Sequence, residues 1–233
     1  MQDLMTNTQV LASLNLAWQT VAVGFMSAPP AGLPRVDRPL PAGCAYWKHA
    51  SEGHGFYTTP EDHYGCTVGS FTHNVTLPDD KKSELESVVG TMISLEYLSG
   101  DDVTAMPRRP EPMQIAAYAP LADATFAPDV VVFRGNARQL MLLSEAARSA
   151  GILGGGDGSI LGRPACAMIP HAGNTGGAVA SFGCIGNRVY TGLADDEFYV
   201  TVPGNGLAST LDRLAVILNA NTQLKAFHEA RNS

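Results

Sequence analysis

Apolar positions recur at two spacings along this chain, and each spacing predicts an element. Val10, Leu11, Leu14 and Trp18 stand three and four residues apart, which predicts an amphipathic helix over 4–19. The unbroken apolar run Val21-Ala-Val-Gly-Phe25 predicts a strand. Prolines and glycines then crowd 28–43, forbidding regular structure and making a loop that delivers Cys44. A short helix over 45–50, a strand at 56–58 and a strand at 74–77 follow. Pro78-Asp-Asp80 then opens a helix running to about residue 98, with proline in its first turn and acids near its positive end.

The second half shows the same alternation. Residues 99–112, with three prolines and the Gly100-Asp-Asp102 run, form a linker. Strands are predicted at 113–118 and 130–133, and Asn136 caps a helix over 137–150 that stops at Gly151. Further strands are expected at 188–191 and 198–202, with helices over 206–219 and 222–231.

The halves echo one another. Gly43-Cys-Ala-Tyr-Trp-Lys-His-Ala50 matches Ala165-Cys-Ala-Met-Ile-Pro-His-Ala172 at Cys, Ala, His and Ala. Tyr64-Gly-Cys66 matches Phe182-Gly-Cys184, and Val75-Thr-Leu-Pro78 matches Val200-Thr-Val-Pro203. A repeat at this scale is read before any short motif. The expected architecture is α/β (α+β): mixed sheets flanked by helices, as two similar lobes from an internal duplication, with pseudo-repeat halves 1–99 and 113–221 in one domain.

Composition narrows the function. The 233 residues are 45% hydrophobic and 16% charged, as in a soluble globular protein with enough chain for one sizeable core. A net charge of −7, with only Lys81-Lys82 and Arg108-Arg109 as paired basic residues, argues against nucleic-acid binding. No basic start precedes an apolar leader and no apolar run is long enough to span a bilayer, so a cytoplasmic protein off the membrane is expected. A homo-oligomer is expected as well.

The four cysteines carry the sharpest chemistry. In a cytoplasmic chain they read as thiols or ligands rather than as disulfides. Thiolate sulfur is soft and selects zinc, copper(I) or an iron–sulfur cluster over magnesium or calcium. No pair has the Cys-x-x-Cys spacing of a zinc knuckle, whereas a buried cluster accepts ligands from distant loops. Each cysteine also follows a small residue (Gly43, Gly65, Ala165, Gly183), which lets backbone N–H groups approach sulfur. The expectation is that Cys44, Cys66, Cys166 and Cys184 hold an iron–sulfur cluster, [4Fe-4S] by ligand count, or alternatively zinc. Four ligands would close the cluster for electron transfer to a redox partner. Three would leave an open iron to polarise a small-molecule substrate.

The bland alternative is a binding or accessory protein with no cofactor, whose cysteines fill the core and which acts through an oligomer interface. Glu61 and His63, just before Cys66, are the candidate proton-moving residues, against a helix-starting turn with His63 satisfied locally. His49 and His171 are second-tier candidates, and the Asp195-Asp196-Glu197 run reads as a solvated turn. The Gly154-Gly-Gly-Asp-Gly158 loop follows a helix and lacks Gly-Lys-Ser/Thr, so it is no phosphate cradle, and no Gly-x-Ser-x-Gly elbow occurs.

Several of these segments form an ordered set: Phe56-Tyr-Thr-x-x-Glu-Asp-x-x-x-Cys66-x-x-Gly69, Pro128-Asp-Val-Val-Val with Gly135-Asn136, Ala165-Cys166, Cys184-x-Gly186-x-Arg188 and Gly192-Leu-Ala-Asp-Asp-Glu197. The set resembles domain-of-unknown-function family 169 (DUF169), also labelled ArCR, of bacteria and archaea. The resemblance implies one family domain from about Leu14 to the last long helix. It also implies cysteines at the positions of Cys44, Cys66, Cys166 and Cys184, which strengthens the ligand reading of each. It names no substrate.

Overall fold

A computed structural model describes residues 9–152, 160–161 and 164–232. Its frame is a seven-stranded sheet in the order β2-β3-β1-β4-β7-β6-β5. The strands are β1 (Val21–Met26), β2 (Phe56–Thr58), β3 (Ile115–Pro120), β4 (Val130–Asn136), β5 (Ile160–Leu161), β6 (Val179–Ser181) and β7 (Glu197–Pro203). All pairings are antiparallel except that of β5 with β6. The central junction sets β1 against β4, with Val21 opposite Val132 and Val23 opposite Val130.

Period-two alternation divides this sheet between two cores. Val131, Phe133, Val200 and Val202 face one side, under the helices α5 (Ala137–Ser149) and α8 (Leu207–Arg231). Leu140, Leu143, Leu211 and Leu214 complete this aliphatic layer. Val130, Val132, Tyr118 and Tyr199 face the other side, where Tyr46, Trp47 and Phe56 pack against them. The remaining helices are α1 (Gly43–Ser51), α2 (Thr67–Thr72), α3 (Asp79–Ser94), α4 (Gly100–Ala105), α6 (Met168–Thr175) and α7 (Ile185–Thr191).

The mixed α/β architecture is the one expected, and so are most elements. Asn136 caps α5 as predicted: its Oδ1 accepts from Gln139 N at 3.0 Å while its own N–H donates to Gln139 Oε1 at 2.9 Å. The internal duplication is not confirmed: among the described residues, 1–99 hold two strands, β1 and β2, whereas 113–221 hold five. The third sequence match does not carry into structure, because Val200–Pro203 lies in β7 while 75–78 is loop.

Several predicted elements differ for identifiable reasons. The N-terminal helix covers 9–12 and stops where Asn15 turns left-handed at φ 51°; residues 4–8 of that prediction lie outside the described residues. No strand forms at 74–77, since Asn74 is left-handed (φ 57°) and Val75 N–H bonds Ser70 O, although Val75 and Leu77 are buried. The linker contains α4, begun by a Ser99/Asp102 capping box, and is tied down where Arg109 N–H bonds Thr72 O. Residues 188–191 are helical: strand-favouring Val189 and Tyr190 are solvent-facing, so packing does not enforce their propensity. The two C-terminal helices are one, Leu207–Arg231. The Gly154–Gly158 loop lies outside the described residues. No helix among the described residues is long and apolar enough to cross a membrane.

Candidate functional site: a cavity lined by four cysteines

Each cysteine stands at the start of a helical turn. Cys44 is in the first turn of α1, Cys66 is the N-cap of α2, Cys166 lies in the single turn Ala165–Ala167 that leads into α6, and Cys184 is the N-cap of α7. Backbone N–H groups at such positions often lack intrahelical partners, but here Ala45 N–H bonds Ala42 O, Cys66 N–H bonds His63 O and Ala167 N–H bonds Pro164 O, so these three are already used. The small residues before each cysteine are thus the first residues of helical turns or the link into them.

Two glycines show why the chain is small here. A Cβ on Gly69 would sit 3.0 Å from Cys66 Sγ and 3.7 Å from Gly43 Cα, so the starts of α1 and α2 approach through bare backbone. Gly183 is left-handed at φ 75°, and a Cβ there would meet Leu193 at 2.7 Å and Asn187 Oδ1 at 2.8 Å.

All four cysteines line a single cavity of about 540 Å³. Cys44 and Cys166 are buried, Cys66 and Cys184 partly so, and all four are free thiols. Burial pushes the Cys44 thiol up to about 12; the Asn187 amide beside it works the other way, and Cys66 and Cys184 push further up. Burial likewise raises Cys166 well above the ordinary thiol value, with Cys66 adding to it, the Thr72 hydroxyl opposing, and Cys44 and Cys184 pushing up again. The four therefore feel one another's charge. Without a cation the buried pair stays protonated; a bound metal would reverse that balance.

The donor chemistry fits a soft centre. Among the described residues, however, no three His, Cys, Asp or Glu side chains converge as ligands of one metal ion. A single zinc ion needs sulfurs about 2.3 Å from one point. A cluster asks less convergence, because each thiolate binds a different iron atom.

The candidates near Cys66 are placed elsewhere. Glu61 is exposed on the turn Pro60–His63 and accepts from Thr59 Oγ1 at 2.5 Å. His63 is 1% exposed, its Nε2 lies 2.8 Å from Thr58 Oγ1, and its ring packs on Tyr46 and His73. Thr58 Oγ1 donates its one proton to Ala116 O, so His63 Nε2–H is the donor to Thr58 and Nδ1 carries an unpartnered lone pair. Burial lowers His63 to about 3 and His73 to about 4. Neither Glu61 nor His63 lines the cavity. Between them, Asp62 is pushed up by burial but held low overall by Arg35, which grips it at 3.0 and 3.1 Å, and by Thr59. That segment is a structural knot.

His49 stacks on His54 with ring centroids 4.2 Å apart, and neither His49 nor His171 lines the cavity. Glu197 is no solvated acid: it pairs with Arg134, whose other donors go to Thr191 O and Gly192 O at the end of α7. Asp195 is exposed, as expected of a turn.

The cavity walls were not anticipated. Leu85, Val89 and Met92, four and three residues apart on α3, turn toward it, and Val103 and Met106 close it from the segment read as linker. The spacing along α3 was a legible signal. Nothing in the sequence marked Asn187.

A family model described as uncharacterised ArCR, DUF169, matches residues 10–213. No curated protein and no solved structure matches the chain. The match covers most of the sequence, and the chain belongs to this family.

Proposed function

We propose that this member of the DUF169 family is a cysteine-ligated metal protein, holding an iron–sulfur cluster between Cys44, Cys66, Cys166 and Cys184 and acting in redox or cluster-assisted chemistry on a small molecule. The observation that carries the reading is that thiols from four separate segments line one cavity. All four cysteines stand at helix starts, and the largely apolar surroundings disfavour the oxygen ligands that harder metals prefer. A bound cluster would supply one-electron transfer, or Lewis acidity if one iron stayed open. The protein's share is to position the thiols, exclude water and admit a partner molecule. His63 and Glu61 have no part in this reading, because neither reaches the cavity.

The second reading, a binding protein without metal, is favoured by one fact: Cys44 and Cys166 also pack in the aromatic core. The test is anaerobic purification with iron and sulfide analysis, followed by each Cys→Ser variant. The expected result is a coloured protein whose iron falls sharply in every variant. A colourless, metal-free protein with four titratable thiols and unaltered stability overturns the proposal and leaves the packing role.

A further inference from the structure

We infer that the cysteine-lined cavity takes an uncharged, largely apolar organic molecule bearing a carbonyl or hydroxyl group, oriented by the side-chain amide of Asn187. This deepens the proposed function and rests on it only for what the molecule meets at the cysteines.

Volume, lining and one polar group each contribute. A space of about 540 Å³ falls within the range of sites for drug-sized molecules. Its walls are Phe71, Leu85, Val89, Met92, Ile185 and Tyr190 among others, and among the described residues the one charged side chain on it is that of Glu86, which is exposed. Among the described residues no lysine, arginine or histidine lines the space. A carboxylate or phosphate would be buried there without a cation, at a cost of several kcal/mol. A cationic ligand would face four thiols and Glu86 but lose its hydration to hydrocarbon walls. An uncharged molecule meets neither penalty.

The chain leaves these walls unfinished by itself. Helix α3 buries none of its residues although Leu85, Val89 and Met92 form an apolar stripe over the cavity. Across from it Ile185 is 71% exposed and Tyr190 44%. A second copy or another protein could cover such a rim but has no reason to satisfy the buried Asn187 amide. Asn187 is 1% exposed; Cys44 and Tyr199 lie beside its amide, yet neither Oδ1 nor Nδ2 has a partner in good hydrogen-bond geometry. A buried amide left so costs about 1–3 kcal/mol, which a ligand group pairing with it would recover. Asn187 lies beside Cys44 and three residues after Cys184, so a carbonyl or hydroxyl held by its amide is delivered to the sulfur end. The apolar remainder extends along α3 and α4.

The experiment uses the anaerobically purified full chain. The uncharged fluorophore phenylnaphthylamine is titrated in, then displaced by decanol or by ionised decanoate, with iron and sulfide measured on the same preparations. Decanol is expected to displace the probe at roughly tenfold lower concentration than decanoate. Val89→Lys places a charge on a wall where no backbone or core packing depends on the side chain, and is expected to weaken probe binding about tenfold with iron content and urea midpoint unchanged. Asn187→Leu is expected to keep probe binding and to weaken decanol about tenfold, with decanoate still the poorer competitor. If Asn187→Leu does not fold, the Val89→Lys result and the decanol–decanoate comparison carry the decision. The inference is overturned if the wild type does not bind the probe, if decanoate competes as well as decanol, if Val89→Lys binds unchanged, or if that variant instead dissociates an oligomer. Intact iron with no probe binding sinks this inference alone. Probe binding without iron sinks the metal reading alone.

Discussion

The two faces of the sheet use the same strands, yet they are finished in opposite ways. Under α5 and α8 the layer is aliphatic: Phe133, Leu140, Leu143, Val202, Leu211 and Leu214 interlock, with no buried titratable group among them. On the opposite face Tyr46, Trp47, Tyr118 and Tyr199 pack among His63, His73 and the cysteines. That face holds Trp47 Nε1, His63 Nδ1, His73 Nε2, Tyr118 OH and the Asn187 amide buried and without hydrogen bonds. Each such group costs on the order of 1–3 kcal/mol. A fold that tolerates them on one side and, among the described residues, none in the other layer keeps its best-satisfied packing apart from the cysteine cavity. The helical layer holds the sheet, and the aromatic layer holds whatever the cavity does.

The most severe way to break this division is to damage the layer that carries stability. Phe133→Ala empties a fully buried ring site under α5 and is expected to cost about 3–5 kcal/mol, read as a lower urea midpoint. If the faces are separate in role, the molecules that remain folded match the wild type in iron content and probe binding. Equal loss of iron per folded molecule would show the faces to be one unit.

Arg134 is where the two layers touch. Its guanidinium spans from Glu197 to the carbonyls of Thr191 and Gly192, closing the helix that Cys184 begins. Arg134 is 9% and Glu197 17% exposed in their side chains, so Glu197→Ala strands a largely buried cation. A loss of about 3 kcal/mol is expected, again by urea denaturation. Glu197→Gln should recover part of it by keeping an acceptor.

How much of this was legible follows the same division. The aliphatic layer is written in spacing: the Asn136 cap and the run at 130–133 predicted what formed, and the last helix was helical as predicted but unbroken between 219 and 222. The aromatic layer is written in contacts between distant segments. Flanking glycines pointed to the four cysteines, and a shared cavity is where they lie. Yet the sequence could not show that Asp62 is used up by Arg35, or that His63 is sealed behind Thr58. Both depend on which loop lies over which strand. Val189-Tyr190 misled for the converse reason: strand propensity is a packing preference, and nothing packs there.

Acid offers a third way to separate the faces, because the aromatic one alone buries histidines. His63 and His73 hold folded values near 3 and 4, below the ordinary 6.5. The unfolded chain therefore binds protons first as pH falls through 6.5, and stability drops until the folded values are reached. Above about pH 7.5 the two contribute almost nothing that varies with pH. Between about pH 7.5 and 5.5 the pair should remove on the order of 2 kcal/mol, measured as a falling urea midpoint. His73→Gln should flatten that slope by about half, whereas Phe133→Ala should lower the whole curve without changing its slope in this window.

The smallest expected effect probes the edge of the cavity. Ser99 Oγ accepts from Asp102 N at 3.2 Å and Ser99 N–H donates to the Asp102 carboxylate at 2.7 Å, fixing the start of the short helix α4. No residue of α4 is buried, so the helix adds little to global stability. Ser99→Ala should cost at most about 1 kcal/mol locally and leave the urea midpoint within error. Val103 and Met106 ride on that helix and its end, and both line the cavity. Loosening the cap should therefore weaken phenylnaphthylamine binding by a few-fold, on the order of the local cost. A fluorescence titration decides it: a midpoint that falls while binding holds would place α4 with the stabilising layer instead of the cavity.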